Sequence, residues 1–201
     1  MPIFKRKDIT ERDNYRGISL LCHSAKFFAS VLLQRIKART EEMLSEAQPG
    51  LRSERSTIDQ LYTLRSIADK YLEHGTDLFV CYVDFRKMFD SVWREGHWKV
   101  VRFYGYPEKN VRLLENLYQE TFSTVRLDSC LTDWFRMLIG VLQGCVLSPI
   151  HFNILLEMVM VRTAEGCNTL ERSFLVTPSA TCVLPTTSPL LRNPAMTYRR
   201  W

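Results

Sequence analysis

A carboxylate stands directly after the most strand-like segment of the chain. Residues 78–83 are a continuous run of apolar, β-branched and aromatic side chains, and Asp84 follows them. Such a run predicts a strand buried on both faces, in the middle of a sheet. A carboxylate at the end of a buried strand is costly unless a cation or a metal ion neutralises it. Asp84 is therefore a candidate metal ligand, and a strand-end acid paired with a lysine is the alternative.

A second acid follows closely. Phe89 and Asp90 lie five and six residues after Asp84. Asp90 immediately precedes a segment that we expect to be helical, so we interpret it as a helix N-cap. A pair of carboxylates such as Asp84 and Asp90 would also be compatible with a two-metal phosphoryl-transfer enzyme such as a nuclease.

A glycine-framed loop is the third feature with possible chemistry. Gly140 and Gly144 stand on either side of Gln143, and Ser148 with Pro149 is typical of a helix start. Glycine lets the backbone approach a ligand closely, and the first turn of a helix offers free N–H groups to a phosphate or a base. An ordinary strand-to-helix connection would have the same pattern.

The remaining periodicities predict an α+β domain. We expect a helix from an N-cap at Ser24 to about Glu46, and a second over 57–73 with Ile58, Leu61, Leu64, Ile67 and Leu72 facing inward. Further helices are predicted from near Ser91 to Gly105, from Pro107, and from Ser148. Residues 121–127 and 133–139 predict two strands joined by a turn near Asp128 and Ser129. We expect these strands to pair with strand 78–83 in an incomplete antiparallel sheet, packed with helices, with one long edge of strand 78–83 left open.

Composition narrows the class of protein. Residues 1–39 hold nine Lys or Arg and three acids, which favours a polyanionic partner, nucleic acid before membrane. No apolar run is long enough to span a membrane, no signal peptide is visible, and the six cysteines include no C-x-x-C pair. We therefore expect an intracellular protein, nuclear or cytoplasmic, with no membrane or known protein partner. Residues 167–201 carry four prolines and no sustained period, which predicts an irregular tail.

Four ordered segments together resemble one protein family. VDFRKMFDSV (83–92) and QGCVLSPIHFN (143–153) are similar to two palm motifs of the reverse transcriptases of non-LTR, LINE-like retrotransposons. NYRGISLL (14–21) and QPGLRSERST (48–57) resemble the two fingers motifs that precede them in that family. The resemblance implies a right-hand polymerase fold, with fingers over 1–75, a partial palm over 76–166 and a tail outside the family over 167–201.

The same resemblance implies roles for individual residues. Asp84 would be the catalytic carboxylate that ligates Mg²⁺ (or Mn²⁺), helped by the backbone of Phe85, and Phe89 would exclude a 2′-OH from the incoming sugar. Gln143 and Gly144 would touch the incoming nucleotide and the template. A triphosphate would be held by Arg52, Arg55 and Arg16, since guanidinium groups bind phosphate oxygens bidentately. The implied partners are an RNA template, a DNA primer and a deoxynucleoside triphosphate.

One part of the family pattern is missing. Members carry an Asp-Asp pair in a hairpin after the Gln-Gly motif, whereas this sequence has no Asp-Asp and no aspartate after Asp133. A two-metal site needs more than one carboxylate. We therefore expect a reverse transcriptase truncated before that motif and inactive alone. A non-catalytic nucleic-acid-binding remnant of a retrotransposon is the alternative.

Overall fold

The computed structural model describes residues 1–5, 8–46, 48–83, 85, 87, 89–127, 129–165, 173–176, 180–184 and 198–200. Within them the helices are α1 (His23–Met43), α2 (Thr57–Glu73), α3 (Arg94–Phe103), α4 (Glu108–Gln119) and α5 (Ser148–Glu165). The strands are β1 (Pro2–Phe4), β2 (Tyr15–Gly17), β3 (Phe79–Val83), β4 (Phe122–Ser123), β5 (Arg126–Leu127), β6 (Cys130–Leu131), β7 (Phe135–Arg136), β8 (Ser173–Val176), β9 (Ala180–Leu184) and β10 (Tyr198–Arg200). Helices mixed with small antiparallel sheets confirm the α+β class.

The chain divides into two compact units, which are described separately. The first comprises Met1–Met43 and Lys87–Ile154, and the second Leu44–Arg86 and Leu155–Trp201. In the described part of the chain, no helix is both long and apolar enough to cross a membrane.

Helices α1, α3 and α4 form the core of the first unit. Helix α4 packs against both α1 and α3. Each contributes an apolar stripe at helical spacing, and Ile36, Val101 and Val111 are fully buried. Helix α3 begins three residues later than predicted and ends before Gly105, whose positive φ of 72° terminates it. Helix α1 includes Ser24, so the predicted N-cap at that residue is wrong.

The predicted hairpin is present, with an interrupted ladder. Strand β4 pairs with β7 and β5 pairs with β6, both antiparallel. Between the two pairs, Thr132 N donates to the carbonyl of Val125 at 3.0 Å, and threonine side chains add further bonds. Thr124 Oγ1 donates to the carbonyl of Thr132 at 2.6 Å, and Val125 N donates to Thr132 Oγ1 at 3.0 Å. Asp128, in the predicted turn, lies outside the described residues.

Strand β3 lies in a sheet of different composition from the one predicted. The sheet order is β10-β3-β9-β8, and all its pairs are antiparallel. The expectation that the 121–139 hairpin pairs with β3 is wrong, and so is the expectation of an open edge. Both edges of β3 are occupied by strands from the last 22 residues of the chain. The irregular tail predicted over 167–201 is wrong for its described residues, because they form β8, β9 and β10, and β9 and β10 satisfy the backbone of β3.

Helix α2 has the predicted bounds but only part of the predicted face. Ser56 is its N-cap and accepts a bond from Ile58 N. Leu78 and Val80 of the second unit are buried against Leu64, Ile67, Ala68 and Tyr71 of α2. The predicted inward residues Ile58, Leu61 and Leu72 are instead exposed.

Candidate functional site

The Gln-Gly loop meets the N-terminal segment of the first unit. Ser19 N donates to the carbonyl of Gln143 at 2.7 Å, and Arg16 Nε donates to its side-chain Oε1 at 3.1 Å. Gly144 adopts a φ of +106°, and a Cβ at this position would lie 2.8 Å from the carbonyl oxygen of Ser19. The glycine is therefore required by backbone conformation and by close approach.

Asp90 is joined to the same glutamine. Gln143 Nε2 donates to Asp90 Oδ1 at 2.7 Å. The predicted role of Asp90 as an N-cap is wrong, since Trp93 occupies the cap position of α3. The backbone of Phe89 and Val92 accepts bonds from Val141 N (2.7 Å) and Gly140 N (2.8 Å), so this segment pairs with the Gln-Gly loop before the helix can begin.

Gly140 allows that pairing. Its φ is +81°, and a Cβ there would lie 2.8 Å from the carbonyl oxygen of Asp90. We expect Gly140→Ala to lower the free energy of unfolding by about 2 kcal/mol, because both the left-handed backbone and the contact oppose a methyl group. Gly17→Ala is the control, since nothing lies within 4 Å of its Cβ position and its φ is not positive. Chemical denaturation compares the two, and equal changes would contradict the packing argument.

The other predicted site residues have different surroundings. The Phe89 ring is half-buried and its centroid lies 5.7 Å from that of Phe152. Phe85 is exposed. In the second unit, Arg52 donates to the carbonyls of Ser45 and Gln48, both at 2.9 Å, and Arg55 forms an ion pair of 2.7 Å with Glu46. The structure thus brings together Arg16, Gln143 and Gly144, whereas Arg52 and Arg55 have local partners. Their predicted contact with a triphosphate stays a prediction.

A cavity of about 420 Å³ adjoins the glutamine. It is lined by residues 17–21, by Asp90 and Gln143, and by the 121–137 hairpin. Two aromatic side chains of the hairpin, Phe122 and Trp134, are exposed. Planar apolar surfaces beside amide and carboxylate groups suit a ligand with flat rings and polar edges, and a nucleotide has both.

A buried arginine supports the loop from below. Arg94 Nη1 donates to the carbonyls of Tyr118 and Met137, both at 2.7 Å, and its Nε donates to the carbonyl of Gly140 at 2.8 Å. Its guanidinium carbon lies 5.2 Å from the centre of the Tyr118 ring. Burial lowers the pKa of Arg94 from its usual range. One side chain thereby ties α3 to the end of α4, to the hairpin and to the Gln-Gly loop.

Two buried histidines lie in the same unit. His97 Nε2 and His151 Nδ1 are 2.8 Å apart, and the tautomers decide which of them donates. Both rings are buried among Trp98 and Tyr118. Burial lowers the pKa of His97 to about 4, and it lowers that of His151 well below its usual range. Both imidazoles are therefore neutral at pH 7.

A metal site cannot be assembled from the described residues. These contain no group of three or more His, Cys, Asp or Glu side chains placed to hold an ion. Asp84, the predicted ligand, lies outside them. The described acidic side chains therefore do not by themselves supply a set of ligands for a divalent ion.

Comparison with known proteins decides the family. The family described as "Reverse transcriptase (RNA-dependent DNA polymerase)" matches residues 3–176, which is most of the chain. The chain belongs to the reverse transcriptase family. It is 27% identical over 190 residues to the RNA-directed DNA polymerase from mobile element jockey of Drosophila funebris, covering 89% of this chain and 20% of that protein.

Two other relatives come from further mobile elements. A transposon TX1 protein of Xenopus laevis is 25% identical, over 76% of this chain and 12% of its own length. The Pol polyprotein of the R2DM retrotransposable element of Drosophila melanogaster is 31% identical, over 47% of this chain and 9% of its own length. The expected non-LTR, LINE-like reverse transcriptase domain is confirmed. The chain spans about a fifth or less of each of these relatives.

Three features of the first unit were not predicted from the sequence. Asp90 was noticed, but the pairing of its own backbone with the Gln-Gly loop was not visible in the sequence. Arg94 gave no signal, since an arginine in the first turn of a helix is usually solvated. A weak hint was available for His97 and His151, which both stand on apolar helix faces.

Proposed function

We propose that this chain supplies the fingers (residues 1–75) and part of the palm (residues 76–166) of an RNA-directed DNA polymerase. Its substrates are an RNA template, a DNA primer and a deoxynucleoside triphosphate. The observation that carries the proposal is that two other motif segments meet at the side chain of Gln143. Arg16 and Asp90, which lie 127 and 53 residues before Gln143, both form hydrogen bonds with its amide. A loop that must only connect a strand to a helix has no need of such partners.

The residue roles follow from the family. Asp84 is the proposed catalytic carboxylate and ligand of Mg²⁺, with Mn²⁺ as the alternative ion and the Phe85 backbone beside it. Phe89 is proposed to lie under the sugar, where its ring excludes a 2′-OH. Gln143 and Gly144 contact the nucleotide and the template. The triphosphate is held by Arg52, Arg55 and Arg16.

The first test is polymerisation itself. We expect no primer extension by this chain alone, because its sequence lacks the second carboxylate motif that two-metal transfer needs. The chain is incubated with a primed RNA template, deoxynucleotides and Mg²⁺, and products are resolved by length. Extension above background that disappears in Asp84→Ala would contradict this prediction.

The second test separates a nucleotide site from a remnant that only grips nucleic acid. A primed RNA template with a chain-terminated primer is titrated with the protein, in the presence of Mg²⁺ and either a matched or a mismatched deoxynucleotide. The proposal expects tighter binding with the matched nucleotide only. Equal affinities with the two nucleotides would favour the non-catalytic remnant. The exposed basic residues of the N-terminal third are also consistent with such a remnant.

A further inference from the structure

The side-chain amide of Gln143 forms hydrogen bonds with two side chains of opposite charge, one on each side. Its Oε1 accepts a bond from Arg16 Nε at 3.1 Å, and its Nε2 donates to Asp90 Oδ1 at 2.7 Å. Hydrogen bonds to charged partners are about twice as strong as those between neutral groups. The two partners come from two other motif segments, Arg16 from the first (14–21) and Asp90 from the third (83–92).

These charges select one orientation of the amide. A flip about the terminal bond would place the NH₂ group against the guanidinium and the oxygen against the carboxylate, so both contacts would become repulsive. The orientation of the amide is assigned from this network. One N–H and one oxygen lone pair of Gln143 then remain without a partner among the described residues, and the side chain lines the 420 Å³ cavity.

The backbone holds both partners in place. The segment with Asp90 is bonded to the loop through Gly140 and Val141, and Ser19, three residues after Arg16, is bonded to Gln143 itself. Both glycines of the loop are in left-handed conformations in which a side chain would collide with these segments. The packing of the loop therefore holds both hydrogen-bonding partners of the amide in place.

We propose that Asp90 and Arg16 are positioning residues that fix the amide of Gln143, so that its remaining donor and acceptor face a nucleotide unit of a bound RNA strand. The inference rests on the proposed function for the identity of the ligand. It adds Asp90 to the site, and it gives Arg16 a role that acts through Gln143. A fixed donor beside a fixed acceptor matches a base edge, or a ribose hydroxyl, that offers the reverse pair.

The first experiment tests the hydrogen bonds of the Gln143 amide in the absence of any ligand. Side-chain amide signals of ¹⁵N-labelled full-length chain are recorded by NMR, and that of Gln143 is identified by its loss in Gln143→Met. We expect its exchange with water to become about tenfold faster in Asp90→Leu, since a hydrogen bond to a charged group is lost. Asp90→Asn keeps an acceptor of the same shape and should restore most of the protection. Unchanged exchange in Asp90→Leu would overturn the proposal.

The second experiment tests whether the hydrogen bond between Asp90 and Gln143 contributes to RNA binding. Binding of a fluorescent single-stranded RNA is measured for Asp90→Leu, for Gln143→Met and for the double variant. Removing an acid from a surface that binds a polyanion should strengthen binding, as expected for the control Asp133→Leu, whose acid is exposed on the hairpin. We expect Asp90→Leu to weaken binding about as much as Gln143→Met does, and the double variant to be no weaker than either.

Each outcome has a distinct meaning. Tighter binding by Asp90→Leu, or additive losses in the double variant, would overturn the proposal, because Asp90 would then not act through Gln143. If the wild-type chain fails to bind RNA, the nucleic-acid part of the proposed function fails, and a role in presenting Gln143 to RNA fails with it. The amide-exchange experiment would in that case still show whether Asp90 holds the amide of Gln143.

Discussion

Replacing Arg94 with methionine should lower the free energy of unfolding by about 3–5 kcal/mol. Arg94 is 7% exposed, and three backbone carbonyls, those of Tyr118, Met137 and Gly140, accept its bonds. Methionine has a similar length but no donor, so these acceptors would lose their partner away from water. The change is measured by urea denaturation followed by circular dichroism.

Arg102, on the same helix, is the matched control. It forms ion pairs with Glu108 at 3.0 Å and with Glu115 at 2.8 Å, but its side chain is 38% exposed. Exposed ion pairs contribute little because water and salt screen them, so Arg102→Met should cost less than about 1 kcal/mol. Similar losses at both positions would show that helix propensity or general charge explains the effect, and not the buried bonds.

The buried pair of His97 and His151 should make the protein sensitive to acid between about pH 6.5 and pH 4. The folded-state pKa of His97 is lowered to about 4 from 6.5, so over this range the unfolded chain binds more protons than the folded one. Stability is therefore fully present above pH 6.5 and falls as the pH falls. At about 1.4 kcal/mol per pKa unit, His97 alone accounts for a loss of about 3 kcal/mol.

Variants separate this effect from the titration of carboxylates. In the double variant His97→Asn, His151→Gln, hydrogen-bonding side chains remain but do not titrate, so its stability should vary less than that of wild type from pH 6.5 to 4. His23 and His74 are exposed, and the double variant with glutamine at both positions should keep the wild-type profile. Unfolding free energies across this pH range test both expectations. A wild-type profile in the first variant would remove the pair as the cause.

Local patterns in the sequence predicted the elements that form without distant partners. The predicted bounds 57–73 are those of α2, and in the structure the helix is limited locally by its cap Ser56 and by Gly75, whose φ is positive. The hairpin within 121–139 was predicted as well, from two short strand-like segments and the turn between them. The buried face of α2 was only half right, because Leu61 and Leu64 both fit a helical stripe and only the tertiary partner selects Leu64.

Distant pairing is the part that local patterns could not supply. Strand β3 was recognised, but its neighbours β9 and β10 lie about a hundred residues later, and a strand carries no mark of its partner. Asp90 is a residue type that often caps helices. It instead accepts a hydrogen bond from Gln143, because Gly140 lets the loop approach the backbone of Asp90. Within the candidate site, the motif residues Arg16, Gln143 and Gly144 were predicted, while the side chains that support them were not.

Binding of nucleic acid by residues 1–39 of this reverse transcriptase chain is tested by the salt dependence of its affinity for RNA. Affinity for a single-stranded RNA is measured by anisotropy from 50 to roughly 400 mM salt, and the logarithm of the association constant should fall linearly with that of salt, by about 0.7 per phosphate contact. One variant carries glutamine at four exposed cations of the N-terminal segment, Lys5, Arg12, Lys26 and Lys37. The control carries glutamine at four exposed cations elsewhere, Arg65, Lys70, Lys99 and Lys109.

We expect the N-terminal variant to lose roughly two to three units of slope, while the control keeps the wild-type slope. Binding that does not respond to salt would contradict it. Equal losses of slope in the two variants would contradict it as well, because the contact would then be general attraction to a basic protein.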